Sequence, residues 1–249
     1  MLYTVSAIAF VTFGNIDHGY AVAKAGALSI FKNLRLQDVH MDSETVAYEL
    51  AVAACYAARG MSIAQHASLV VDSGCVQLVI FFFQCHLHKR GALRKATIQA
   101  LSSLSSLNFA CRESIGHTEA PALIAEALVV DSADPEKLSP DELLDLVEAV
   151  LHMSLNATVA EQLVAHRATE NVLTLLDNHL MTMQYGAEVC VSALMNLTRF
   201  GSKAAVARAV LGRGAPHTVQ VPLLNSNPNP NPNPNPNPNP NLNPYRNST

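Results

Sequence analysis

Apolar positions in this chain repeat on two scales. Over most of the first 200 residues they fall three and four apart, as at Leu143, Leu146, Val147, Val150 and Leu151. That spacing lines one face of an α-helix. On the larger scale a helix junction recurs: KAGALSIF from Lys24, DSGCVQLV from Asp72, HTEAPALI from His117, RATENVLT from Arg167 and GRGAPHTV from Gly212. Its aligned turn position is Gly26, Gly74, Glu119, Glu170 and Gly214, in steps of 48, 45, 51 and 44 residues. A second landmark reads SAIAFV from Ser6, VAACYA from Val52, QALSSL from Gln99, EAVLHM from Glu148 and SALMNL from Ser192. Its fifth position is Phe10, Tyr56, Ser103, His152 and Asn196, in steps of 46, 47, 49 and 44 residues. The period is that of two- and three-helix solenoids.

Each period reads as a short helix, a middle helix after the turn, and a longer helix carrying the second landmark. The predicted class is therefore an all-α solenoid of three-helix repeats. Its first long helix covers about 2–13, and complete units cover 15–59, 61–107, 109–155 and 157–199. A short and a middle helix over 202–224 close an array spanning 1–224. Ser139-Pro140-Asp141-Glu142 is a strong helix start, with Ser139 as N-cap and Pro140 at the first helical position. Gly26, Gly74 and Gly214 stand where a left-handed residue ends a helix cheaply. Glu119 and Glu170 stand at the same place in two units, so those corners are expected to turn differently. Val76–Phe83, β-branched and aromatic, reads as a buried strand by itself and as a middle helix only in its repeat context.

Residues 192–224, SALMNLTRFGSKAAVARAVLGRGAPHTVQVPLL, and KAGALSIFKNL from Lys24 carry a resemblance to the armadillo repeat family. The resemblance implies a right-handed superhelix whose long third helices line a concave groove. It also implies that an Asn on the third helix binds the main chain of an extended partner, since an amide offers a donor and an acceptor together. Only Asn196 keeps that amide. His152 and Ser103 extend a polar stretch from it, and Tyr56 and Phe10 form an aromatic patch. The chain has no Trp, so the tryptophans of importin-type members are missing.

Composition narrows the function. Charged residues make up 14% of the chain, the net charge is −4 and the pI about 6.2. This excludes a strongly basic nucleic-acid surface and a wholly disordered chain. The low charge fits repeats buried by neighbours on two sides. It also fits a first helix, Met1 to Asn15, with no Asp, Glu, Lys or Arg. Residues 225–249 hold an Asn-Pro alternation, predicted to be a disordered low-complexity tail with polyproline-II character. Five widely spaced cysteines without a CxxC motif predict reduced thiols, hence the cytoplasm, with the nucleus as the alternative. No apolar run reaches the roughly 20 residues of a membrane helix.

Candidate chemistry is sparse. No glycine-rich phosphate loop, G-x-S-x-G or H-E-x-x-H occurs. No cofactor or metal is expected, and Cys85-His86-Leu87-His88 lacks a second ligand pair for zinc. Lys89, Arg90, Arg94 and Lys95 form the one basic patch. The expected function is a non-catalytic scaffold that binds a protein segment along the groove. The alternative is a structural piece of a larger assembly or longer chain, self-associating end to end.

Overall fold

The computed structural model describes residues 1–13, 15–34, 45–62, 67–129, 138–177 and 184–201. Every element among them is helical. The helices are α1 (Leu2–Thr12), α2 (Ile16–Lys24), a 3-10 turn (Ala27–Ser29) leading into α3 (Ile30–Asn33), α4 (Val46–Gly60), α5 (Ala67–Asp72), α6 (Cys75–His86) and α7 (Ala92–Leu107). They continue with α8 (Phe109–Gly116), α9 (Ala120–Ala127), α10 (Pro140–Met153), α11 (Ala157–Ala165), α12 (Ala168–Leu175) and α13 (Gln184–Phe200). The chain divides into Met1–Gly214 and Ala215–Thr249. The predicted closing helices over 202–224 and the tail over 225–249 lie outside the described residues.

Three rows of helices run through the first unit. The long helices pack in chain order, α1 on α4, α4 on α7, α7 on α10 and α10 on α13. Short helices α5, α8 and α11 form a second row, and middle helices α3, α6, α9 and α12 a third. One hydrophobic core continues from Val5 to Leu197 between the rows. This is how a solenoid solves burial: each repeat covers the apolar face of the next.

Val76–Phe83 lies within α6, not in a strand. Its helical period is hidden because Val76, Leu78, Val79, Ile80, Phe82 and Phe83 are all buried, and of the open stripe Gln77, Phe81 and Gln84 only Gln77 is polar within the run. Ser139 begins α10 with a complete capping box: its backbone N–H donates to Glu142 Oε2 at 2.8 Å, and Glu142 N–H donates to Ser139 Oγ at 3.3 Å.

The corners differ as their residues require. Gly26 and Gly74 take φ of +91° and +76°, while Glu119 stays right-handed at −79°. In the fourth unit the left-handed residue is Arg167, at φ +68°, and Glu170 lies inside α12. The equivalent of Gly26 is thus three residues earlier than the alignment on Glu170 placed it. A non-glycine residue there is disfavoured by about 1–2 kcal/mol. Arg167→Gly relieves this and partly offsets it by unfolded-state entropy. The ion pair of Arg167 with Glu170, at 3.8 Å and exposed, contributes little. The expected gain is about 0.5–1 kcal/mol, seen as a Tm rise of about 1–3 °C by calorimetry.

Candidate partner-binding face

The five long helices bring one landmark residue each into a single layer. Tyr56, Ser103, His152 and Asn196 are all partly exposed on it. Asn196 does not hold its amide wholly open, because Nδ2 donates to the Leu151 carbonyl on α10 at 3.2 Å. That bond ties the side chain to α10 next to the backbone of His152. Burial pushes the His152 imidazole below its ordinary pKa. Glu148 opposes that push and Arg112 adds to it. Phe10, the landmark of α1, is 85% exposed, and Tyr3 and Ala7 on the same helical stripe are exposed with it.

A polar chain crosses the layer one to three helical turns from the landmarks. The Arg59 guanidinium of α4 lies 6.0 Å from the centroid of the Phe13 ring, just past α1. Arg59 Nη1 donates to Gln99 Oε1 of α7 at 2.7 Å. Gln99 in turn bonds the Asp145 carboxylate on α10. One turn along α10, Glu148 accepts from Ser102 of α7 at 3.3 Å and from the Tyr185 hydroxyl of α13 at 2.7 Å. Four long helices and the end of a fifth are thus tied side to side.

The electrostatics of this chain are unbalanced. Burial raises the Asp145 pKa, and Glu148 and Asp141 raise it further, against the opposing pull of Arg59 and Gln99. The Tyr185 phenol is also pushed up, chiefly because it donates to Glu148. Nothing in the sequence by itself marks Arg59, Gln99, Asp145, Glu148 or Tyr185 as site residues. Only spacing relates some of them to the landmarks: Arg59 follows Tyr56 by three, and Gln99 and Glu148 precede Ser103 and His152 by four, which places each pair on one helix face.

The basic patch needs correction. Lys89, Arg90 and Lys95 are exposed, but Arg94 is buried, with its side chain 1% accessible. Its Nε and Nη2 reach Glu142 Oε1 and Oε2 at 3.0 and 3.3 Å. A helix that starts on the surface turns this residue inward towards α10. The patch is further diluted by Glu126, 3.5 Å from His88. His86 is buried edge-on to Tyr48, whereas Cys85 is exposed, so the two neighbours do not converge. Among the described residues no three His, Cys, Asp or Glu side chains are grouped to hold a metal, and no helix is long and apolar enough to cross a membrane.

Solved structures identify the architecture. A designed armadillo repeat protein aligns with 84% of this chain and 81% of its own at 15% identity, with a TM-score of 0.66. The chain has the armadillo repeat fold. A second designed armadillo repeat protein, solved in complex with the peptide (KR)4, covers 88% of this chain and 85% of its own at 17% identity and a TM-score of 0.61. The armadillo-repeats-only protein from Plasmodium falciparum covers 79% and 80% at 16% identity and a TM-score of 0.60. No family model and no curated protein sequence matches the chain. In armadillo terms α4, α7, α10 and α13 are the third helices of successive repeats, and the polar chain runs across them.

Proposed function

We propose that this chain is a non-catalytic protein-binding scaffold, and that an extended, basic segment of its partner lies across α4, α7, α10 and α13. The observation that carries this reading is the half-buried carboxylate pair Asp145 and Glu148 in the middle of the layer, with Arg59 as its main offset. A Lys or Arg side chain arriving there supplies the missing charge. Ser103, His152 and Asn196 alongside offer hydrogen bonds to a main chain. The likeness to an armadillo protein solved with (KR)4, and to one designed for modular peptide recognition, supports a peptide on this face. The cysteines are all unpaired, four of the five of them buried, which fits a reducing compartment such as the cytoplasm.

The test is fluorescence anisotropy with a labelled octapeptide of alternating Lys and Arg, against one of alternating Glu and Ser. The basic peptide is expected to bind, and binding to weaken at least ten-fold between 50 mM and 500 mM salt. Asp145→Asn with Glu148→Gln is expected to weaken it at least ten-fold more at low salt. Equal binding of both peptides, or an unaffected double variant, overturns the reading.

A stability readout accompanies it. Asp145 has a raised pKa in the fold, so its ionised form is disfavoured there, and stability is lost as pH rises through that pKa. Asp145→Asn alone should therefore raise Tm at pH 7, by about 1–3 °C for a partly screened repulsion. Binding should fall in the same variant. Gain of stability with loss of binding marks a carboxylate kept for a partner.

A further inference from the structure

The helix α1 has two unlike faces. Val5, Ala9 and Thr12 are buried against α4. The opposite stripe holds Tyr3, Ala7 and Phe10, flanked by Thr4 and Val11, and all five are exposed. Tyr3 is 89% accessible, Phe10 85%, Phe13 65% and Met1 64%. No side chain from Met1 to Asn15 is charged. Elsewhere in the row the register of Ala7 is buried, at Ala53, Ala100, Ala149 and Ala193, where long helices pack on one another.

We propose that this stripe is an isologous interface that pairs α1 with α1 of a second copy of the chain, antiparallel. The pattern is self-complementary. Ala7 lies midway between Tyr3 and Phe10, so a two-fold axis near it lets the backbones approach closely. Each Tyr3 ring then meets the partner's Phe10, and each Phe10 meets the partner's Tyr3, as an isologous contact requires. Edge-to-face or offset packing suits such pairs. Tyr3 and Phe10 with Ala7 and Val11 present roughly 500 Å² per copy, so pairing removes on the order of 1,000 Å², the size of a weak, concentration-dependent dimer. No like charge opposes the approach, and antiparallel helices oppose their dipoles favourably. The pairing uses none of Arg59, Gln99, Asp145 or Glu148, so variants of those residues leave it intact.

Sedimentation velocity on the full chain from 1 to 100 µM tests this. The expected result is a concentration-dependent dimer of the 26.7 kDa chain. Phe10→Glu and Tyr3→Glu should each raise the dissociation constant at least ten-fold with the helical circular dichroism unchanged. Val46→Glu, exposed on α4, should leave it unaltered. In a Cys85→Ser background, Ala7→Cys should crosslink with a short bis-maleimide, and Tyr20→Cys should not. A monomer throughout the range, a dimer indifferent to both glutamates, or a monomer that instead sediments with phosphatidylcholine vesicles through Phe10 overturns the proposal.

Discussion

Replacing Arg94 by methionine is expected to destabilise the protein by about 3–5 kcal/mol and lower Tm by roughly 10 °C. The reason is the charge left behind. The Arg94 and Glu142 side chains are 1% and 8% accessible, and they form two hydrogen bonds in a fork. Burial alone pushes the Glu142 carboxyl up. Hydrogen bonds from Ser139 and Arg94, with the guanidinium charge, outweigh that and hold it below the ordinary carboxylate range. Without Arg94 the carboxylate is buried with only its cap. Adding Glu142→Gln to Arg94→Met removes the orphaned charge and keeps an acceptor for the Ser139 N–H. The double variant should therefore recover at least half of the loss in thermal unfolding. If the double variant is no more stable than the single, the charge account fails.

The same pair sets an acid limb. A carboxylate whose pKa is depressed in the fold contributes stability at higher pH, and that contribution is lost as pH falls through the folded value. The wild-type protein should lose stability below the ordinary carboxylate range more steeply than Glu142→Gln does. Parallel Tm–pH curves for the two would contradict this.

Phe83→Ala should cost about 3–5 kcal/mol, a drop in Tm of roughly 10 °C. Phe83 is fully buried in the middle of α6, where the surrounding repeats leave little room to collapse into the space. Gln77→Ala, on the one exposed position of the first two turns of α6, should change stability by less than about 0.5 kcal/mol. Similar costs at both positions would mean that α6 is not held as described.

These two residues show where the sequence was readable. The repeat was legible because two landmarks returned at a steady interval, and the long helices fall where the second landmark lies. Inside one repeat, though, α6 reads as a strand, because its open stripe is narrow and carries Phe81, which masks the period that distinguishes helix from sheet. Arg94 reads as a surface cation beside Lys89, Arg90 and Lys95. Its partner Glu142 is 48 residues away, one repeat onward, and local spacing carries no sign of it. The left-handed corner at Arg167 lies three residues before the aligned Glu170, and a left-handed arginine leaves no compositional mark. The face was half legible. The landmark positions are Asn196, His152, Ser103 and Tyr56, while the residues that carry its charge lie one or two turns away, on neighbours that only folding brings together. Phe10 shares the landmark register and is the most open of the five, because among the described residues no long helix flanks α1 on its far side.

The central claim is that a partner segment lies across the third helices of successive repeats. Photo-crosslinking measures this most directly. A photoreactive residue is placed in turn at Ser103 on α7, at Ser192 on α13 and at the exposed Glu126 on α9, and the labelled Lys-Arg octapeptide is crosslinked and located by mass spectrometry. Crosslinks from positions 103 and 192 and none from 126, competed away by unlabelled peptide, are the predicted result. Crosslinking from 126 with none from 103 and 192 would put the partner on the middle-helix row and contradict the account.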